Sequence, residues 1–335
     1  MYARRNVRWS ILWTISRKVL ILSAFWGMFC VAAAVLLLGA GVDISLPLPP
    51  LSVIGVAVAF YVGFKNNQSY DRFWEARKIW GGVVNVSRSF ANAALTYTPG
   101  GDARTITDAQ RRLVYRHLAW MHALRFQLRR KTVFGFEPAG AARRFMQTTD
   151  IDSMRTELAR FLPEDELGVV CTQVNSATQI LRLQGDHLRR VAAAGDVSDY
   201  RLVDLMSHLT ECYTLQGKCE RIKNTPLPRQ YAYFSGLFTW VFLALLPLGI
   251  FGEFARRVDG PVALTAWLAV PVYVVVAWVF YTMETVGDAS EDPFENFIND
   301  VPMTALCRTI EIDLRQMLCE SDVPPPLKPV DDILM

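Results

Sequence analysis

Side chains without charge run for about a membrane thickness in four places, at residues 19–42, 44–64, 231–252 and 260–283. A bilayer-crossing helix needs roughly 20 such residues, so each stretch predicts a transmembrane span. The second is irregular. Pro47, Pro49 and Pro50 leave only about a dozen good helical residues before Lys65, which is short for lipid and better suited to protein surroundings. Its helix can run on past Phe64 into water or a cavity, where polar groups are tolerated at depth. Between the two pairs of spans, residues 65–230 are too long for a loop and predict a helical domain. Leu113, His117, Trp120, Leu124 and Leu128 recur at helical spacing beside Arg111, Arg112, Arg116 and Arg129, an amphipathic pattern. Leu167, Val170 and Val174, then Ile180, Leu183 and Leu188, mark two further helical stretches. Pro99-Gly100-Gly101-Asp102 and Ala194-Gly195-Asp196 read as turns. No alternating strand pattern of useful length and no internal repeat is visible.

The second span carries two stripes at four-residue spacing. Val56, Phe60 and Phe64 form a bulky apolar one, and Gly55, Ala59 and Gly63 a small one beside it. Residues four apart share a helix face, and small ridges let helix backbones approach closely in a membrane. A helix packed through its small ridge aims the neighbouring stripe at whatever lies between packed copies. Lys65, Asn66, Asn67 and Gln68 follow at once, polar where a lipid-facing helix would still be apolar. Together these predict a pore wall with a hydrophobic constriction. The same spacing also fits a buried bundle helix with core phenylalanines, and spacing alone does not separate the two.

Composition agrees with a membrane protein. The chain has 335 residues, 52% of them hydrophobic, and a positive mean hydropathy, too apolar for a typical soluble protein. The first apolar run is long, with its Ala-rich part in the middle, so it predicts a retained span and no cleaved signal peptide. Arg4, Arg5, Arg8, Arg17 and Lys18 precede span one, whereas the loop to span two has no Lys or Arg and the loop between spans three and four only Arg256 and Arg257. The positive-inside rule then places both termini and the large middle segment in the cytoplasm. The expected organisation is a cytoplasmic segment 1–18, spans one and two within 19–64, a cytoplasmic domain 65–230, spans three and four within 231–283, and a cytoplasmic tail 284–335. Thr225-Pro226-Leu227-Pro228 should end one helix and start span three, and the proline-rich 323–329 should be extended on the surface.

The net charge of +3 is spread without a basic stripe, so no nucleic-acid partner is predicted. The six cysteines form no Cys-x2-Cys pair and the four histidines lack zinc-site spacing, so neither a disulfide framework nor a metal is expected. Nor does any motif call for a cofactor. Acidic residues after span four, from Glu284 to Asp300, have oxygens that suit a hard cation. They suit helix capping and ion pairing with arginines of the middle domain better, and the spacing is not an EF-hand loop.

Gly63-Phe64-Lys65-Asn66-Asn67-Gln68-Ser69-Tyr70-Asp71-Arg72-Phe73-Trp74-Glu75-Ala76-Arg77-Lys78-Ile79-Trp80-Gly81 closely resembles the bacterial branch of the bestrophin family. So do Glu291-Asp292-Pro293-Phe294, Asn299-Asp300-Val301-Pro302 and the Thr225–Pro228 turn. The similarity is collinear from about residue 8 to residue 320. It implies an all-α fold with four transmembrane helices per subunit and a helical cytoplasmic domain. It also implies a homopentamer around a central pore that passes ions across a cell membrane. Matched on the Gly-Phe pair, the family's apolar neck positions fall on Val56, Phe60 and Phe64. A second aperture in the family follows a Ser-Asp pair, here Ser198-Asp199, which places Tyr200 at it; bacterial members mostly have an aliphatic residue there. The carboxylates that hold Ca2+ in animal members are replaced at two positions by Ser290 and Pro293, so no comparable calcium clasp is expected.

A secondary transporter would place ionisable residues inside its spans, and the four stretches have none; an enzyme would show convergent catalytic motifs, and none is present. The expected partners are further copies of the chain, small monovalent ions and lipid. Selectivity stays open between anions and cations. Phenylalanine at the middle neck position, as in animal members, favours chloride. Asp199 near the aperture favours cations, because an acidic ring is a cation-channel device, unless its carboxylate caps a helix starting at Tyr200.

Overall fold

The structure is a computed structural model that describes residues 1–2, 4, 6, 8–98, 106–130, 151–257, 265–297, 299–330 and 332–334. Among these the regular structure is helical; the only β pairing is isolated bridges joining Ile333 to Tyr2 and to Val330. The helices, in order, are α1 (Trp9–Gly39), α2 (Leu48–Tyr97), α3 (Asp108–Arg129), α4 (Ile151–Leu158), α5 (Glu164–Cys171), α6 (Ser176–Ala193), α7 (Asp199–Asn224), α8 (Arg229–Arg257), α9 (Ala269–Glu291) and α10 (Met303–Met317). The expected turn at 99–102 lies outside the described residues. The chain divides into two compact units, Arg4–Asp71 with Pro226–Glu291, and Met1–Ala3 with Arg72–Thr225 and Asp292–Met335.

The first unit is the apolar one. Among the described residues four helices are long and apolar enough to cross a membrane, Ser16–Gly39, Leu48–Tyr97, Arg229–Arg256 and Ala269–Glu291. Its small core joins Val31 and Ala34 of α1, Leu51, Val58 and Val62 of α2, Phe242 and Leu246 of α8, and Tyr273 and Ala277 of α9. Gly27 admits the Tyr273 ring, which a Cβ there would meet at 2.7 Å. α1 ends at Gly39, and Gly41 just beyond it has a φ of 85° that lets Val42 N–H reach Leu37 O at 2.8 Å while Gly41 N–H reaches Leu38 O, a left-handed helix stop. Phe25, Phe29, Leu36, Trp240 and Val275 are exposed, as expected of helices whose solvent is lipid. α2 begins at Leu48, so Pro49 and Pro50 occupy its first turn, where the missing N–H costs nothing. It then runs unbroken for 50 residues, about 75 Å at 1.5 Å per residue. That is well over a bilayer's hydrocarbon thickness of roughly 30 Å.

The second unit has a conventional core. Trp80, Phe90 and Ala94 of α2 pack with Leu113, Trp120 and Leu124 of α3, Ile180 of α6, Leu209 of α7 and Ile310 of α10. α3 opens with a reciprocal cap in which Thr107 Oγ1 accepts from Gln110 N–H and Gln110 Oε1 accepts from Thr107 N–H. The Ala194–Asp196 turn is present, with Gly195 at φ 83°. α7 ends at Asn224 ahead of the prolines, and the 323–329 stretch has no regular structure. Three details differ from the sequence pattern, one being that Arg129 of α3 is buried. Val174 lies beyond the end of α5 and is exposed. Arg116 leaves the polar face of α3 and is buried, donating to both oxygens of Glu166 and to Gln184 Oε1.

Candidate functional site

The bulky stripe of α2 faces away from its own chain. Val56, Phe60 and Phe64 are 58%, 64% and 58% exposed, whereas Leu51, Val58 and Val62 of the same helix are buried. The phenylalanines are therefore not core residues of this subunit, and the reading of a bundle helix with core phenylalanines fails within the chain. Phe60 and Phe64 form a continuous apolar strip, with ring centroids 6.4 Å apart and planes inclined at 35°.

The small stripe is divided. A Cβ on Gly55 would meet the Phe242 ring at 2.8 Å, so this glycine is filled by its own chain. Ala59 is half-buried and Gly63 is exposed, with nothing within 4 Å of a Cβ built on it. The expectation that all three serve contact with another copy is corrected at Gly55, because the ring of α8 already occupies that face.

The polar run divides too. Lys65 is 1% exposed and points inward. Its ammonium donates to Glu284 Oε1 at 2.5 Å and lies 2.5 Å from Asp288 Oδ1, while Ser235 Oγ donates to Glu284 Oε2. Asn66 Nδ2 donates to Met283 O. Only Asn67 and Gln68 face outward. Lys65 and Asn66 are thus absent from the outer wall where the sequence placed them, since α9 holds them, Lys65 through the carboxylates of Glu284 and Asp288 and Asn66 through the Met283 carbonyl.

Three further acidic groups, at the end of α9 and just beyond it, are also met by cations. Glu291 lies 4.0 Å from Arg229, Asp292 lies 3.8 Å from Arg72, and Glu295 lies 2.5 Å from Lys223. Ion pairing was expected with arginines; lysines share the task. Among the described residues no group of three or more His, Cys, Asp or Glu is placed to hold a metal.

Asp199 and Tyr200 open α7. The N-cap is Ser198, and it makes no side-chain cap hydrogen bond. Asp199 is already helical, one residue earlier than the sequence suggested, so its carboxylate sits in the first turn, where the helix dipole favours negative charge. Both side chains are exposed, Tyr200 at 91%. Sequence reasoning missed Arg72, whose guanidinium donates to the carbonyls of Thr225 and Ile222 and so satisfies the C-terminal end of α7. Its position in the long 63–81 block was the available signal.

Buried titratable groups give the second unit a defined response to acid. Burial lowers His117 to about 3; its Nε2 lies 2.9 Å from Ser87 Oγ and its ring stacks on Phe90. Burial, helped by Arg125, Arg160 and Arg308, takes His122 well below the ordinary value, and burial with Arg116 brings His187 to about 4. Burial pushes Asp300 the other way, up to about 8. A histidine with a lowered folded pKa takes its proton only on unfolding, so its stability is present above about 6.5 and is lost as pH falls below it. Asp300 has a raised folded pKa, so its contribution falls as pH rises from about 4 to 8. The histidines outweigh the single aspartate by at least one proton, about 1.4 kcal/mol per pH unit. The melting temperature of detergent-solubilised protein should therefore drop between pH 6 and 4.5, and more steeply in Asp300→Asn. A flat profile would show the histidines charged in the folded chain.

The family described as Bacterial/Fungal Bestrophin protein matches residues 3–316. The voltage-dependent anion channel-forming protein YneE of Salmonella typhi is 32% identical over 281 residues, 84% of this chain and 80% of the relative. The voltage-dependent anion channel-forming protein mll4386 of Mesorhizobium japonicum is 30% identical over 315 residues, 93% of this chain and 88% of the relative. A crystal structure of a bacterial bestrophin homolog from Klebsiella pneumoniae superimposes with a TM-score of 0.75 at 26% identity, covering 90% of this chain and 98% of that one. Collinear over nearly its whole length in sequence and in fold, this membrane protein belongs to the Bacterial/Fungal Bestrophin family.

Proposed function

We propose that the chain forms a homopentameric channel in the cell's inner membrane, with four spans per subunit and both termini cytoplasmic. It passes small monovalent anions, chloride foremost, through a neck lined by Val56, Phe60 and Phe64 and an aperture at Tyr200 and Asp199. The observation that carries this reading is the outward stripe itself. Three bulky apolar side chains, one turn apart and more than half exposed, lie on a helix whose opposite face is buried. Copies of α2 around an axis would turn that stripe into stacked apolar rings, a constriction that gates by dewetting. The names of the relatives support the anion.

Asp199 favours the second reading, a cation-selective channel of the same fold, because it is exposed beside Tyr200 where copies would form an acidic ring. Purified protein in a planar bilayer under a KCl gradient separates the two. The reversal potential should move toward the chloride equilibrium potential, and a shift toward that of potassium would establish the cation channel instead.

A further inference from the structure

Phe64 and Lys65 are consecutive, so their side chains leave α2 about 100° apart. One is exposed at 58%; the other is buried, its ammonium between Glu284 and Asp288 of α9. The two helices are pressed together here. A Cβ on Gly287 of α9 would overlap Asn66 Oδ1 and come within 3.7 Å of Lys65 Cε, and Asn66 itself donates to Met283 O. Ser235 of α8 donates to the second oxygen of Glu284, which fixes the carboxylate that receives Lys65. Toward the N-terminus of Lys65, α2 meets α8 through apolar contacts, Tyr61 stacking on Tyr231 and edge-on to Phe238, the Phe242 ring against Gly55 and Leu51 against Gly249. Apolar attraction is non-directional and does not by itself fix an angle. An ammonium between two carboxylates in a buried site does, because turning the helix would leave a buried charge without its partner.

We infer that Lys65, clasped by Glu284 and Asp288, is a positioning residue that sets the rotation of α2 and so holds the Val56/Phe60/Phe64 stripe toward the pore axis. This rests on the channel reading above and adds to it what sets the neck's open fraction. Buried ion pairs contribute little net stability as a rule, and fixing one geometry among alternatives is their best attested use. The geometry suits that use: the clasp joins the residue next to the last neck ring to the final turns of α9, at Glu284 and Asp288, while leaving the outer wall free of its charge. With the clasp removed, α2 can turn the stripe off the axis, and the neck spends more time wet.

Single-channel recording of Lys65→Met beside the parent tests this. Open probability should rise about tenfold, with unitary conductance and reversal potential unchanged, since no pore-facing group is altered. Lys65→Met/Glu284→Gln/Asp288→Asn removes the clasp without stranding carboxylates; it should match the single variant and stands in for it if Lys65→Met fails to assemble. Placed on Val56→Ala/Phe60→Ala/Phe64→Ala, Lys65→Met should change nothing, because no rings remain to be aimed. Unaltered open probability in an assembled clasp variant, or an equal rise in the alanine background, would overturn the inference while leaving the channel standing. A parent that passes no current would instead overturn the channel reading and the inference with it.

Discussion

Replacing Val56, Phe60 and Phe64 together by alanine should raise open probability at least tenfold and increase current at every voltage, with assembly intact. The three side chains are exposed on their own subunit, so truncation leaves no cavity in its core, and alanine is the best helix former. In the proposed pentamer the stripes become three apolar rings about 6 Å apart along the helix. A narrow bore of this kind offers an ion no hydrogen bonds, and water tends to leave it. Removing the rings widens and wets the bore. Tyr200→Ala should act otherwise, changing relative permeability among anions with little change in open probability, because Tyr200 opens α7 and is no part of a spanning helix. Recording both variants beside the parent decides the matter. An unchanged open probability in properly assembled triple-alanine protein would assign the stripe to packing between subunits and remove the proposed neck.

Gly55→Leu and Gly63→Leu should fail in different ways although both glycines lie on one stripe. At Gly55 the new side chain must displace the buried Phe242 ring, which is 2.8 Å from a Cβ and itself packed on Phe280. Overpacking of this kind costs about 1–3 kcal/mol. The expected result is a lower melting temperature, whatever the oligomeric state. At Gly63 nothing of the same chain stands within 4 Å, so leucine should leave the subunit's fold intact. If that face meets another copy of α2, native mass spectrometry should show pentamers giving way to folded smaller species. Pentamers of Gly63→Leu with normal conductance would exclude Gly63 from the interface. A stable monomer or dimer of the parent would exclude the pentamer altogether.

Much of this protein was legible along the chain, because hydropathy and helical spacing are local. The apolar stretches predicted the membrane-length helices, the prolines of 225–228 predicted a break, and the 63–81 block carried the family. Spacing also established that Val56, Phe60 and Phe64 share a face, and that Gly55, Ala59 and Gly63 share the next. What spacing cannot supply is what each face meets. Phe60 inside its own subunit's core and Phe60 on its outer face have the same period; only the packed chain, with Val58 and Val62 inside and Phe60 outside, separates them. Gly55 and Gly63 are indistinguishable until Phe242 is brought across one of them. Lys65 reads as part of a polar outer wall until a carboxylate 219 residues away comes within 2.5 Å. Arg116 belongs to a polar stripe until Glu166 and Gln184 draw it inward. In each case a pair distant in sequence decided the outcome. Burial of a charge or a glycine depends on the partner that folding delivers, and local pattern carries no record of that partner.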